Sequence, residues 1–317
     1  MPVLYSEIKS CLVRLLLFAA ILIPTASFGQ HVTIIYDKNN QYQSRFLKLL
    51  SAQLVSKKSL TLTTLSTDKL PIPHLKKAPI DLIVNLDNET TQSLISSNVE
   101  TTFFHALTTL SRTKKFVSCL PNCKNKHPNH YFFVLDQPAF RQLKLIQLIN
   151  PNYRKIGVLA TPQSKDLITK IKRIASLNKL IINDYVSNTT DVRYQIDDVS
   201  KSSDIILATA DTGIYNTASL SQILLTSYRY KTPIIGFSKG FIKAGALAGS
   251  VSNIEQLAQH LAEQILQFKT ANDFLFDSII YPRYFDVLSN RNVAKSLNLH
   301  FPDDVVLKAQ LMADESS

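Results

Sequence analysis

KTPIIGFSKGFIKAGALAGSVS, Lys231 to Ser252, decides how the rest of this chain is read. It holds Gly236, Gly240, Gly245 and Gly249, four of the seven glycines in the 317 residues. Glycine is needed where φ turns positive or where backbone must come close to another element, so the chain concentrates its backbone freedom in one place. The stretch opens on a short apolar run, Pro233 to Phe237, which reads as a buried parallel strand ending in a Ser-Lys-Gly turn at Ser238 to Gly240. A run of small residues, Ala244 to Gly249, then leads toward an amphipathic helix starting near Asn253. Strand, tight turn and helix in that order make one step of an α/β layer.

Upstream the same alternation repeats. Val32 to Tyr36, Leu60 to Leu65, Ile80 to Leu86, Thr101 to Leu107 and Tyr131 to Leu135 read as strands, with helical spacing through Phe46, Leu50 and Leu54 and again up to Ile95. After Asp136-Gln137-Pro138 the pattern restarts with a helix, Ala139 to Ile149, ended by Pro151. Strands at Lys155 to Ala160, Leu180 to Val186 and Ile205 to Ala208 alternate with helical stretches through Ile168, Ile171 and Ile174, over Val192 to Val199, and up to Tyr228. This alternation demands parallel crossovers. Two consecutive runs of it predict an α/β protein of two doubly wound lobes.

The helix Ile254 to Phe268, with Leu257, Leu261 and Ile265 on one face, is expected to return to the first lobe. Tyr284 to Leu299 is expected to cross back and end the second with a helix at Arg291 to Leu297. Three crossings near Asp136, Ala246 and Arg283 would form a hinge. Lobe I then takes residues 30–136 and 247–282, and lobe II 137–246 and 283–317.

Residues 1–29 are expected to lie outside the fold. Lys9 and Arg14 precede an apolar run, Leu15 to Ile23, then Pro24 and the small-residue segment ending Ser27-Phe28-Gly29, the pattern of a secretory signal cleaved after Gly29. The apolar run is about half the ~20 residues that span a bilayer, and no cysteine follows it to carry a lipid. A periplasmic location follows as an expectation. In such an oxidising compartment Cys119 and Cys123, spaced C-x3-C, are expected to close a local disulfide. His127 and His130 follow, but zinc modules of this ligand type put about a dozen residues between the two pairs, so no metal is expected.

The formal net charge is +11, which raises nucleic acid as a partner. The basic residues are scattered in short pairs such as Lys57-Lys58 and Lys114-Lys115, with no DNA-reading motif, and the charge reads as solvated surface. No nucleic-acid partner and no cofactor are expected. There is no G-x-S-x-G, Walker loop, G-x-G-x-x-G or helical histidine pair, so enzyme activity is not expected.

The segment DIILATADTGIYNTASLSQILLTSYRYKTPIIGFSKGFIKAGALAGSVS from Asp204 resembles the second half of ABC-transporter substrate-binding proteins of the periplasmic binding protein type I fold. FVLDQPAFRQLKLIQLINPNYRKIGVLATPQS from Phe133 and YPRYFDVLSNRNVAKSLNLHFPDD from Tyr281 agree with it. Before Phe133 the likeness rests on the order of strands and helices. The resemblance implies a receptor that closes on a small ligand and presents it to an ABC permease. Relatives similar to tryptophan- and tyrosine-binding receptors make an amino acid the leading ligand class. A sensing module that informs a membrane signalling protein is the alternative, and a monomer is expected in either case. The lack of a helix-turn-helix head before His31 argues against a repressor on the same fold.

Ligands of open α/β sheets sit outside the carboxyl ends of the strands, and two lobes facing across such ends close by hinge motion. The strand-end candidates are Asp37, Gln41, Asn85 and His105 on the first lobe and Thr161, Ser164, Asp211, Tyr215, Ser238 and Phe241 on the second. Asp37 and Asp211 could each meet a ligand ammonium, and the helix N-termini after Asn85 and Thr161 could hold a carboxylate. Tyr42, Tyr215 and Phe241 offer stacking faces. Asp211 is the strongest single candidate.

Overall fold

The computed structural model describes residues 29–55, 60–70, 72–76, 79–97, 99–114, 116–118, 124–125, 129–187, 192–268 and 278–316. The expected signal segment (apart from Gly29) and Cys119 and Cys123 lie outside the described residues. Apart from a two-stranded ribbon of Val117–Ser118 and Lys124–Asn125, five strands come first: β1 (Gln30–Tyr36), β2 (Leu60–Ser66), β3 (Leu82–Asn85), β4 (Thr102–Thr108) and β5 (His130–Val134). Five more follow: β6 (Lys155–Ala160), β7 (Ile181–Val186), β8 (Ile205–Leu207), β9 (Ile234–Ile235) and β10 (Ala248–Val251). The chain then adds β11 (Ile279–Ile280) and β12 (Asp286–Ser289).

These form two six-stranded sheets, in the orders β11-β5-β4-β3-β1-β2 and β12-β10-β9-β8-β6-β7. Every pairing within them is parallel except β10 with β12. Central strands carry apolar residues on both faces because helices cover both: all of β3 and β4 is buried. β2, at an edge, alternates as LTLTTLS and is only partly covered.

The helices bury one stripe each. α1 (Gln41–Leu54) starts where the Asn40 side chain accepts the Tyr42 and Gln43 N–H groups, and it buries Phe46, Leu50 and Leu54. α2 (Ala139–Ile149) and α3 (Lys165–Leu177) pack on the second sheet through Leu143, Ile146, Ile168 and Ile171. α4 (Arg193–Ser202), α5 (Leu220–Arg229) and the short α6 (Lys239–Ala244) flank its other strands. α7 (Ile254–Gln267) begins with a reciprocal cap between Asn253 and Gln256. Its Leu257, Leu261 and Ile265 pack in the same core as Phe46, Leu50 and Leu54, which places this helix in the first lobe. α8 (Arg291–Ser296) and α9 (Asp304–Ser316) end the second lobe. α9, which no sequence pattern announced, buries Leu307 and Leu311.

The opening stretch corrects two expectations. The anticipated Ser-Lys-Gly turn is the start of α6, with Ser238 as its N-cap and Gly245 at φ 142° as its end. The small-residue run Ala244 to Gly249 is not an approach to the next helix: it contains the start of β10, hydrogen-bonded in the second sheet. The second crossing therefore follows Val251, past the expected Ala246. The reason is steric: a Cβ on Gly249 would lie 2.1 Å from the Gly236 carbonyl oxygen, so the β9 and β10 backbones approach closely only without one.

The three crossings are wired together. Arg141 Nη1 donates to Gln137 Oε1 (2.5 Å) and to the Pro282 carbonyl (3.0 Å). Gln137 Nε2 donates to Ser252 Oγ (2.9 Å), which donates to the Tyr284 carbonyl (2.6 Å). One relay thus touches each connecting segment. Arg141, 3% exposed, also forms a two-pronged ion pair with Glu315 in the last turn of α9 and lies 3.9 Å over the Phe285 ring.

Candidate functional site

In both sheets the strand order reverses direction beside the first strand of the lobe, between β1 and β3 and between β6 and β8, and the loops leaving these strands diverge. In the second lobe Asp211 joins them. Its Oδ2 accepts the Thr161 N–H (2.8 Å), the Thr161 hydroxyl (2.8 Å) and the Ser164 hydroxyl (2.7 Å), and Oδ1 accepts the Gly213 N–H (3.0 Å). Asp211 is 5% exposed. The carboxylate anticipated as a ligand contact is therefore occupied by its own loops, with Thr161 and Ser164 as its donors.

Tyr215 and Phe241 pack against each other and against Phe237, with ring centroids 5.2–5.8 Å apart. Both are buried in the second-lobe core. Burial raises the Tyr215 phenol above its usual range, and its hydroxyl has no hydrogen-bond partner among the described residues. Ser238 Oγ accepts the Phe241 N–H at 3.2 Å.

On the first lobe, Asn85 Nδ2 donates to the Asp87 carbonyl (2.8 Å) and to Thr91 Oγ1 (3.2 Å) and meets His105 Nδ1 (3.3 Å). His105 Nε2 meets His130 Nδ1 at 3.0 Å, and the pair stacks with Phe103 and Phe132. Burial, then the neighbouring His130, hold the His105 pKa well below the usual range. Asp37 Oδ1 accepts the Asn39 N–H (2.9 Å), its own N–H goes to Gln43 Oε1 (2.7 Å), and Gln41 lies exposed at the start of α1. Asn85 and His105 are thus core polar groups, and Asp37 organises a turn.

Three cavities run in a row between the lobes at the carboxyl ends of the strands. The largest, ≈ 680 Å³, is lined from the first lobe by Asn88, Glu89, Thr108, Arg112, Phe116 and Phe132 and reaches Gln163 of the second. It shares Ser111, Lys114 and Gln163 with a middle cavity that adds Ser164, Asp166, Leu167 and Lys170. That cavity shares Leu110 and Leu167 with an innermost one of ≈ 40 Å³ against the hinge, walled by Asp136, Gln137, Thr209, Phe237 and Tyr281 among others. Ser164 is the one of the ten expected residues that lines any of the three.

The cleft is bridged by Lys114 of the first lobe, whose ammonium donates to the Gln163 carbonyl at 2.9 Å and lies 3.8 Å from Asp166. At the hinge end, Asp136 Oδ2 accepts the Leu110 N–H at 2.7 Å, and burial pushes its carboxyl up to about 6. Thr209 Oγ1 is buried with no partner among the described residues. Sequence reasoning named Asp136 as hinge and passed over its chemistry. Thr209 sits two residues after β8, just short of the Asp211 to Tyr215 segment from which the strand-end candidates were drawn. The helical turn Leu110–Thr113 has only four residues, too few for a periodicity to mark it in the sequence.

Residues 66–312 match the family model described as ABC transporter substrate binding protein. Among curated proteins, none matches the chain in sequence. Among solved structures, a ligand-free, open substrate-binding protein with adhesive properties from Clostridium difficile is similar at 17% identity and TM-score 0.64, over 87% of this chain and 97% of that one. An ABC domain in complex with L-Trp from Streptococcus pneumonia is similar at 16% identity and TM-score 0.56, over 88% and 97%. A conserved domain protein from Vibrio cholerae is similar at 18% identity and TM-score 0.54, over 88% and 97%.

Proposed function

Because this chain belongs to the ABC transporter substrate-binding proteins, a family of binding proteins that deliver small molecules to ABC permeases and are not enzymes, we propose that it captures an amino acid between its lobes. The supporting observation is the row of cavities, which takes lining residues from both lobes and whose inner end abuts the hinge. Such a cleft surrounds a solute on closure and offers both polar groups, at Asn88, Gln163 and Asp136, and aromatic faces, at Phe116, Phe132 and Phe237. Export through residues 1–29 would place it in the periplasm, as a monomer facing its permease. No helix among the described residues is long and apolar enough to cross a membrane.

A thermal-shift screen of the purified protein against the twenty amino acids, common sugars and purines tests this reading. A solute at ~100 times its Kd adds about 2.7 kcal/mol to the folded state, a clear rise in Tm. The amino-acid assignment fails if sugars or purines shift the melt and no amino acid does.

A further inference from the structure

The innermost cavity has an unusual balance of groups. Gln137 and Gln142, two of its polar walls, are spent: Gln137 on Arg141 and Ser252, Gln142 on the Ser250 N–H and carbonyl. Tyr281 takes a hydrogen bond from Lys170 at 3.3 Å. What remains is one carboxylate, Asp136, whose Oδ2 accepts the Leu110 N–H, and one hydroxyl, Thr209, 8% exposed and without a partner among the described residues. No lysine or arginine among the described residues lines the cavity. A carboxylate walled largely by apolar side chains is costly unless a cation meets it.

We propose that Asp136 and Thr209 form the subsite for the protonated amine of the captured solute. The cavity's ≈ 40 Å³ suits a head group, while the rest of the solute extends through the middle cavity into the ≈ 680 Å³ space beyond. Phe237 on the same wall offers a ring face of the kind that attracts an ammonium. The ammonium donates to the Asp136 carboxylate and to Thr209 Oγ1. This assigns to Asp136 the part that strand-end reasoning gave to Asp211, and it selects amines over neutral polyols. The inference rests on the solute-capture reading above.

Paired probes test it by calorimetry on the full chain: L-tryptophan against indole-3-propionate, L-tyrosine against 3-(4-hydroxyphenyl)propionate, L-leucine against 4-methylpentanoate, with myo-inositol and D-fucose as uncharged solutes. The amine member of at least one pair should bind thirtyfold or more tighter than its deaminated partner. Asp136→Asn should erase most of that ratio, and Thr209→Val should lower amine affinity about five- to tenfold, with the circular-dichroism melt of both variants showing a folded protein. Wild-type affinity for the amine in Asp136→Asn overturns the subsite, as does binding of a sugar or a deaminated acid with no preference for any amine. In those two cases solute capture still stands. Should no probe bind at millimolar concentration, the subsite falls and the capture reading falls with it. If Asp136→Asn does not fold, Thr209→Val alone decides, and unchanged amine affinity there sinks the proposal.

Discussion

Asp136 and Asp211 are both carboxylates beyond strand ends, yet their surroundings lead to opposite expectations. Asp211 collects four protein donors, and each buried donor left without an acceptor costs ~1–3 kcal/mol. Asp211→Ala should therefore lower stability by ~3 kcal/mol or more in urea unfolding, and an unchanged midpoint would show that the bonds contribute nothing. Asp136 has the reverse balance. Its carboxyl, raised from 3.8 to about 6, holds its proton more tightly folded than unfolded, so its contribution is full below the unfolded value and lost as pH rises through about 6. In the ligand-free protein at pH 7.5 the charged form costs up to ~3 kcal/mol, and Asp136→Asn should raise Tm there but not at pH 4. His105 acts in the other direction. Since the folded pKa of His105 lies below its unfolded value of 6.5, the neutral ring's contribution is whole above that pH and declines as pH falls through it. The two changes oppose each other between pH 7 and 5, and His105→Phe, by removing the histidine's part, should be relatively more stable than wild type at pH 5 than at pH 7 in denaturant titrations.

Among the elements, the tightest constraint lies between β9 and β10. Gly249→Ala places a methyl carbon against the Gly236 carbonyl and should cost ~2–3 kcal/mol, the range of overpacking in a filled core, read as a lowered urea midpoint with unchanged slope. This strand also marks a limit of legibility. Ala246 to Gly249, which leads into this strand and opens it, carries neither the period of a strand nor that of a helix, because the approach that makes Ala248 and Gly249 a strand depends on which neighbour lies alongside. Helices such as Ala139–Ile149 were readable to the residue, since Leu143 and Ile146 repeat on one face and Pro151 stops the run. α9 was not: among its thirteen residues Leu307 and Leu311 are the two fully buried ones, too narrow a stripe to stand out from DVVLKAQLMADES.

For the whole molecule, two α/β sheets were legible because strand and helix alternate with few interruptions, and a parallel pairing of those strands leaves little choice of architecture. The site was legible only as a rule about strand ends. Whether Asp211 points to solvent or to Thr161 depends on two loops fifty residues apart becoming neighbours, and Asp136 became a cavity wall only when Leu110 and Thr209 were folded against it from opposite lobes. The hinge relay carries its own expectation. Arg141→Met would leave the Gln137 amide oxygen and the Pro282 carbonyl without this donor, and each buried acceptor left unpaired costs ~1–3 kcal/mol. Its Tm should fall by several degrees, whereas Glu315→Gln, at a site open to solvent, should cost less.

The return of α7 and β11 to the first sheet, and of β12, α8 and α9 to the second, bears on how the protein is made. A ribosome that has released residues up to Val134 has not released a first lobe: the apolar face of α1, at Phe46, Leu50 and Leu54, waits for Leu257, Leu261 and Ile265 before it is covered. Nor can the second lobe finish before Leu307 and Leu311 emerge. Neither lobe can therefore be completed in its own order of synthesis: each waits for helices made after the other lobe's strands.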